Sequence, residues 1–211
     1  MESNEQLKTG TTTVGIVCTD GVVLAADKRA TAGFFVADKK AEKVYKINEN
    51  MAITTAGGVS DIQMLLKLLK AELKLKTLKT KREPNIKESA NLLAGLVYSN
   101  IRKFSAIPGM THFILGGKDK FGFHLYDLYA DGSLTECDDY ISSGSGSYMA
   151  YGVLDTLHKP DMNVKQGVEL ATKAINSSLQ RDTATGEGIV VMTITKEGVK
   201  KVLDKEVSYT V

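Results

Sequence analysis

The sequence has no apolar run long enough to cross a bilayer, few cysteines (two), few histidines (three) and a net charge of only +2. Each shortage removes a class of function. A membrane-spanning helix needs about 20 consecutive apolar residues, so no membrane partner is expected. Met1 to Gly10 are polar, carry charges of both signs and lack the apolar centre of a signal peptide. Cys18 and Cys137 each sit in a strand-like context and read as buried free thiols in a reducing compartment, not as a disulfide frame. A cytoplasmic location is the expectation. The near-balanced charge gives no footprint for nucleic acid or an anionic membrane. His112, His124 and His158 are scattered, without a helical His-x-x-x-His or a cysteine pair, so no metal is expected. There is neither a Gly-x-x-x-x-Gly-Lys-Ser/Thr loop nor a strand-linked Gly-x-Gly-x-x-Gly, and no cofactor is expected.

What is present is an ordinary globular composition: 211 residues, 43% hydrophobic and 25% charged, within single-domain range. From Thr12 to Gly57 the chain reads as strands. Thr13 to Thr19 and Val22 to Lys28 flank Asp20-Gly21, a tight-hairpin pair. Lys43 to Ile47 and Met51 to Ala56 follow a looser stretch around Gly33. Ser60-Asp61-Ile62-Gln63 has capping-box spacing and opens a helix with Ile62, Leu65, Leu66, Leu69 and Leu73 on one side. Its lysines, Lys67, Lys70, Lys74, Lys76, Lys79 and Lys81, read as a solvated face, with a rim contact to a partner protein as the alternative. Pro84-Asn85 breaks the period and Asn85-x-x-Glu88 restarts it, with Ile86, Ala90, Leu93, Ala94, Val97 and Ile101 on the buried stripe.

Strands return at Phe113 to Leu115, Gly122 to Tyr129 and Leu134 to Ile141, separated by Gly116-Gly117 and Asp131-Gly132. One helix then carries Ala150, Val153, Leu154 and Leu157. A second starts at Asn163, with Gln166 in capping-box register, and carries Val168, Ala171, Ile175 and Leu179. Ile189 to Thr195 and Val199 to Asp204 close the chain as a hairpin. The order of strands, helix pair, strands, helix pair, strands lacks strand–helix–strand alternation. It predicts an α+β fold: two central sheets packed on each other between two helix layers.

The pattern pivots on Gly10-Thr11-Thr12-Thr13-Val14-Gly15. The polar segment before it buries no face of its own, and apolar residues arrive directly after it. One reading is a frayed terminus ahead of an edge strand whose threonines suit a pleated surface. The other is a processing site at Gly10-Thr11. A threonine hydroxyl is a weak nucleophile until a base takes its proton, and an N-terminal α-amine on the same residue is such a base. That amine has a reference pKa of roughly 7.7–8.0. In an uncut chain the same nitrogen is an amide, so cleavage would be the activating event. Residues 1–10 would then be a propeptide and 11–211 a single domain.

The sequence resembles the archaeal-type proteasome β-subunits of the N-terminal-nucleophile hydrolase family. The resemblance rests on Gly10-Thr11-Thr12-Thr13-Val14-Gly15, Ala26-Asp27-Lys28-Arg29, Lys43, Ala56-Gly57-Gly58 with Asp61, Gly144-Ser145-Gly146 and Arg181-Asp182, in that order and spacing. It implies a four-layer αββα sandwich with mainly antiparallel sheets, and a threonine endopeptidase that hydrolyses unfolded polypeptide after autocatalytic cleavage. It also implies Thr11 as nucleophile and Lys43 as the lysine that favours deprotonation of its hydroxyl, with Asp27 holding that lysine. Gly57 would be the oxyanion donor, and Ser145 and Asp182 would orient the terminal amine and its water. Thr185 stands where the family usually has serine, and keeps a hydroxyl there. Positions matching the primary substrate pocket are Ala30, Thr31, Ala41, Tyr45, Thr55, Val59 and Gln63. None is acidic, so a neutral, moderately apolar side chain before the scissile bond is the expected preference.

As partners the resemblance implies other β-subunits in a heptameric ring, a second β ring, flanking α-subunit rings and an ATP-dependent unfoldase regulator. Two alternatives stand beside it: a non-catalytic ring component, and another amidohydrolase of the same fold acting on a small amide. The first typically loses the threonine, the lysine or the glycine before the cut, and all three are present here.

Overall fold

The computed structural model describes residues 10–207. Met1 to Thr9, most of the expected propeptide, lie outside the described residues. Strands β1 (Thr13–Cys18), β2 (Gly21–Asp27) and β11 (Gly188–Thr195) are buried along almost their whole length. A strand buried on both faces needs a layer on each side. Val14, Ile16, Val23, Ala25 and Val191 point to one such layer, while Val22, Leu24, Ala26, Val190 and Met192 point to the other. Period-two alternation thus divides one strand set between two cores.

All pairings are antiparallel. One sheet runs β10 (Tyr140–Ser143), β1, β2, β11, β12 (Gly198–Glu206). The other runs β5 (Val44–Asn48), β6 (Met51–Gly57), β7 (Thr111–Asp119), β8 (Gly122–Leu128), β9 (Leu134–Cys137). A small hairpin, β3 (Ala30–Ala32) with β4 (Phe35–Asp38), stands outside both. Helices α1 (Val59–Thr80) and α2 (Ile86–Ile101) cover the second sheet through Leu65, Leu69, Leu93 and Val97. Helices α3 (Ser147–Leu157) and α4 (Val164–Leu179) cover the first through Leu154, Leu170 and Ile175. Between the sheets lie Leu24, Ile114, Leu125 and Ile194. Three cores separate four layers, and the predicted αββα sandwich is the fold.

Several local expectations change. The Ser60–Gln63 capping box does not form: Gly58 is the N-cap and no side chain caps it, because β6 runs through Gly57 and Gly58 straight into the helix. The boxes at Asn85/Glu88 and Asn163/Gln166 do form. Gly116 and Gly117 do not separate strands but sit inside β7. A Cβ on Gly116 would come within 2.9 Å of Val22, and one on Gly117 within 2.4 Å of Ile86, so these glycines let neighbouring layers approach. The single strand expected over Leu134–Ile141 is two, β9 and β10, and the chain changes sheet between them. On α1 the expected apolar set is buried and most of the lysines are exposed, the solvated face read from the sequence.

Both cysteines are free. Cys18 is buried, and a Cβ on Gly167 of α4 would meet its sulfur at 2.5 Å. Burial pushes its thiol up to about 12. Cys137 is only half-buried, contrary to expectation, because β9 is an edge strand.

Candidate active site

The start of β1, the ends of β2, β6 and β10, and the starts of β5 and β11 meet at one end of the sandwich. The registers Thr13↔Ser143, Thr13↔Ala26 and Ile189↔Asp27 set this meeting. Thr11 and Thr12 precede β1 and are buried, Thr11 with 4% exposure. Asp27, the last residue of β2, accepts four hydrogen bonds. Its Oδ1 takes the backbone N–H of Thr12 at 3.0 Å and Lys43 Nζ at 2.8 Å. Its Oδ2 takes the backbone N–H of Arg29 and of Gly186, each at 3.0 Å. A carboxylate so supplied is satisfied in its ionised form, the condition under which a buried charge is tolerated.

Lys43 is 7% exposed and lies just before β5, where its carbonyl accepts the N–H of Thr55 at 2.9 Å. Burial lowers the pKa of its ammonium, and Asp27 beside it opposes that shift. The same nitrogen donates to the carbonyl oxygen of Gly10 at 3.2 Å. The Thr11 hydroxyl donates to that oxygen too, at 2.6 Å. The backbone N–H of Gly10 donates to Thr31 Oγ1 at 2.9 Å.

A second carboxylate fixes proton directions on the other side of Thr11. Asp182 Oδ2 accepts Ser145 Oγ at 2.6 Å and Thr185 Oγ1 at 2.6 Å. Each hydroxyl has one proton. Ser145, whose hydroxyl hydrogen is directed at Asp182, therefore turns a lone pair to the Thr11 N–H, 3.2 Å away. Thr185 in the same way accepts from Thr12 Oγ1 at 2.7 Å. Two glycines admit this packing: a Cβ on Gly144, whose φ is +91°, would stand 2.0 Å from the Thr11 carbonyl oxygen. One on Gly146 would stand 2.0 Å from Thr12 Oγ1.

Thr11, Asp27, Lys43, Ser145, Asp182 and Thr185 are thus brought into one hydrogen-bonded cluster. Gly57 ends β6 with φ +118°, and a Cβ there would lie 2.2 Å from the Met110 carbonyl oxygen, so the position takes only glycine. The expected pocket residues spread over β3, the loop before β5, β5 itself, β6 and the first two turns of α1. Thr31 and Thr55 are buried, Ala30, Ala41 and Tyr45 half-buried, and Val59 and Gln63 exposed. Tyr45 packs against the core under α1 and α2 and donates its hydroxyl to the Glu42 carbonyl.

Sequence reasoning gave no role to Arg29 or Glu187. The Arg29 guanidinium holds Glu187 Oε1 through two nitrogens, at 3.2 and 2.9 Å, and the Thr183 carbonyl at 2.8 Å. It thereby ties the loop carrying Asp182 and Thr185 to the end of β2. Glu187 has φ +67°, a strained value for a non-glycine residue. Arg29 belongs to the Ala26–Arg29 motif, which was its only signal.

A sequence-family profile described as "Proteasome subunit" matches residues 7–194. The chain belongs to the proteasome subunit family. Among proteasome relatives, "Proteasome subunit beta" of Ferroglobus placidus is 45% identical over 198 residues, covering 94% of this chain and 92% of its own length. The protein of the same name from Archaeoglobus profundus is 43% identical over 206 residues, covering 98% and 94%. That of Methanosarcina barkeri is 44% identical over 207 residues, covering 98% and 96%. These three archaeal relatives match the chain almost end to end.

Proposed function

We propose that this chain is a threonine endopeptidase subunit of a proteasome core particle, made active when it cleaves its own Gly10-Thr11 bond. The observation that carries the reading is the convergence on one carbonyl oxygen, that of Gly10, of the Thr11 hydroxyl and the Lys43 ammonium. A peptide carbonyl with a cation on its oxygen and a hydroxyl on the adjacent residue is polarised for attack.

In the uncut chain a water molecule takes the Thr11 hydroxyl proton, and Oγ1 bonds to the Gly10 carbonyl carbon. The oxyanion is stabilised by Lys43, with the backbone N–H of Gly57 assigned as the further donor. Collapse breaks the bond between the Gly10 carbon and the Thr11 nitrogen, which leaves as an amine after taking a proton. Water hydrolyses the remaining ester, returning the hydroxyl and releasing residues 1–10 with a carboxylate at Gly10. In turnover the freed amine takes the hydroxyl proton as Oγ1 attacks a substrate carbonyl, then delivers it to the leaving amine. Ser145, already oriented as an acceptor by Asp182, receives an N–H of that amine and so steers its lone pair towards Oγ1.

The relatives' shared name supports assembly with like subunits and with α-subunits into proteasome rings; the proposal extends this to a site enclosed by those rings, a cytoplasmic location and unfolded polypeptide as substrate. Among the described residues no helix is long and apolar enough to cross a membrane. Because loops supply Ser145 and Asp182, contacts between subunits are assigned the final setting of the site. Intact mass and N-terminal sequencing of monomer and assembled fractions test this, together with hydrolysis of a fluorogenic peptide. Assembled particles beginning at Thr11 and turning over peptide are expected, with an uncut monomer. A monomer that already starts at Thr11 separates processing from assembly. Assembled particles with an intact Gly10-Thr11 bond and no turnover overturn the reading.

A further inference from the structure

Gly10 is confined on every side. Its N–H is bonded to Thr31 Oγ1 at 2.9 Å, and its carbonyl oxygen takes Thr11 Oγ1 at 2.6 Å and Lys43 Nζ at 3.2 Å. Both flanking peptide planes are therefore fixed. The remaining direction, that of a side chain, is filled: a Cβ on Gly10 would lie 1.7 Å from the Ala184 methyl, 2.8 Å from its Cα and 3.0 Å from its carbonyl carbon. Real Cβ atoms essentially never come within 3.0 Å of a heavy atom outside their own and the adjoining residues.

Ala184 is half-buried, and the loop that carries it is tethered by hydrogen bonds. The Ala184 N–H donates to Asp182 Oδ1 at 3.2 Å, the Thr185 N–H to the Asp182 carbonyl at 3.1 Å, and the Gly186 N–H to Asp27 Oδ2 at 3.0 Å. On the preceding side the Thr183 carbonyl is held by Arg29 at 2.8 Å.

We propose that Ala184 is the specificity-determining residue of the self-cleavage. By filling the space beside Gly10 it restricts position 10 to a residue without a Cβ, and any side chain there displaces the carbonyl from Thr11 and Lys43. The inference rests on the self-cleavage proposed above. Its structural half, the exclusion of a Cβ by Ala184, holds independently of catalysis.

The experiment is a double-substitution cycle of Gly10→Ala and Ala184→Gly with two readouts. In chains that also carry Thr11→Ala, and so remain uncut, thermal melting reads the contact alone. In chains retaining Thr11, the rate at which the Thr11 N-terminus appears in the assembled fraction reads its effect on cleavage. Gly10→Ala is expected to lower the melting temperature on the order of 5 °C, as overpacking of a fixed site does. It is also expected to slow cleavage about a hundredfold, the scale of an ångström of misplacement. Adding Ala184→Gly should recover part of both losses, because it removes the 1.7 Å contact with the methyl and leaves the 2.8 Å contact with the Cα. Purely additive effects, or normal cleavage of Gly10→Ala, overturn the proposal. If Gly10→Ala prevents folding, recovery of a folded double variant supports it and loss of both variants overturns it. A parent chain that assembles and is never cut overturns the self-cleavage, while the melting cycle still decides whether Ala184 excludes a Cβ at position 10.

Discussion

The Lys43 ammonium lies 3.2 Å from the carbonyl oxygen of Gly10. It holds that place by its bond to Asp27 at 2.8 Å, in surroundings that lower its pKa. Under the proposed mechanism, removing the charge from that oxygen removes transition-state stabilisation worth roughly 10²–10³ in rate. Lys43→Ala should therefore leave the Gly10-Thr11 bond intact, as read by mass, and abolish peptide turnover. Lys43→Arg should not rescue, because a planar guanidinium does not fit a site built for a compact ammonium. Processed, active Lys43→Arg particles would reduce the requirement to bulk charge.

Thr11→Ala removes one hydroxyl whose recorded bond is to Gly10, and that oxygen keeps Lys43. Unfolding free energy should change by about 1 kcal/mol or less. Peptide hydrolysis should fall by at least about 10³, as loss of a nucleophile does. Residual turnover in purified particles at a tenth of the parental rate, roughly 1.4 kcal/mol in barrier, would reassign the nucleophile.

Thr185 is buried and joins Thr12 to Asp182 through its hydroxyl. Thr185→Ser keeps both bonds and should cost no more than about 1 kcal/mol. Thr185→Val keeps the shape but leaves the Thr12 hydroxyl without its acceptor, which should cost about 1–3 kcal/mol. Denaturant titrations in the uncut Thr11→Ala background would measure both. Equal stability of the valine and serine variants would show that the hydroxyl chain contributes nothing.

At the start of α2, Glu88 accepts two bonds from the Arg82 guanidinium, at 2.8 and 2.7 Å, and one from the Asn85 N–H at 3.0 Å. Arg82 first, then Asn85, hold its carboxyl down at about 2. The folded pKa is below the unfolded value of about 4.3. The contribution is therefore complete above the unfolded value and is lost as pH falls towards the folded one. The stability gap between the parent chain and Glu88→Gln should be open at about pH 6 and close between roughly pH 4 and pH 2. It should be modest, since the pair is exposed. A gap independent of pH would assign the effect to side-chain size.

Where structure follows from residues close in sequence, it was legible. Ile62, Leu65, Leu66, Leu69 and Leu73 are the buried set of α1, and two of three capping boxes form. Ser60–Gln63 misled because the start of α1 is fixed by β6 arriving through Gly57, a tertiary constraint that local capping chemistry does not carry. Gly116 and Gly117 read as a turn because only the packed layers reveal that their hydrogens face Val22 and Ile86. The same limit applies at the site. Thr11, Asp27, Lys43, Ser145 and Asp182 were named from a family pattern, and no local period brings them together. Ala184 and Glu187 belong to no motif, and their partners, Gly10 and Arg29, are remote in sequence.

The burial of Cys18 between β1 and α4 bears on how such assays are controlled. Its thiol, raised to about 12, is almost wholly protonated at neutral pH and is shielded from solvent. The thiolate is the form that alkylating reagents consume. Iodoacetamide should therefore silence a contaminating cysteine protease while leaving Cys18 unmodified, and so separate background hydrolysis from that of a hydroxyl nucleophile in the same preparation.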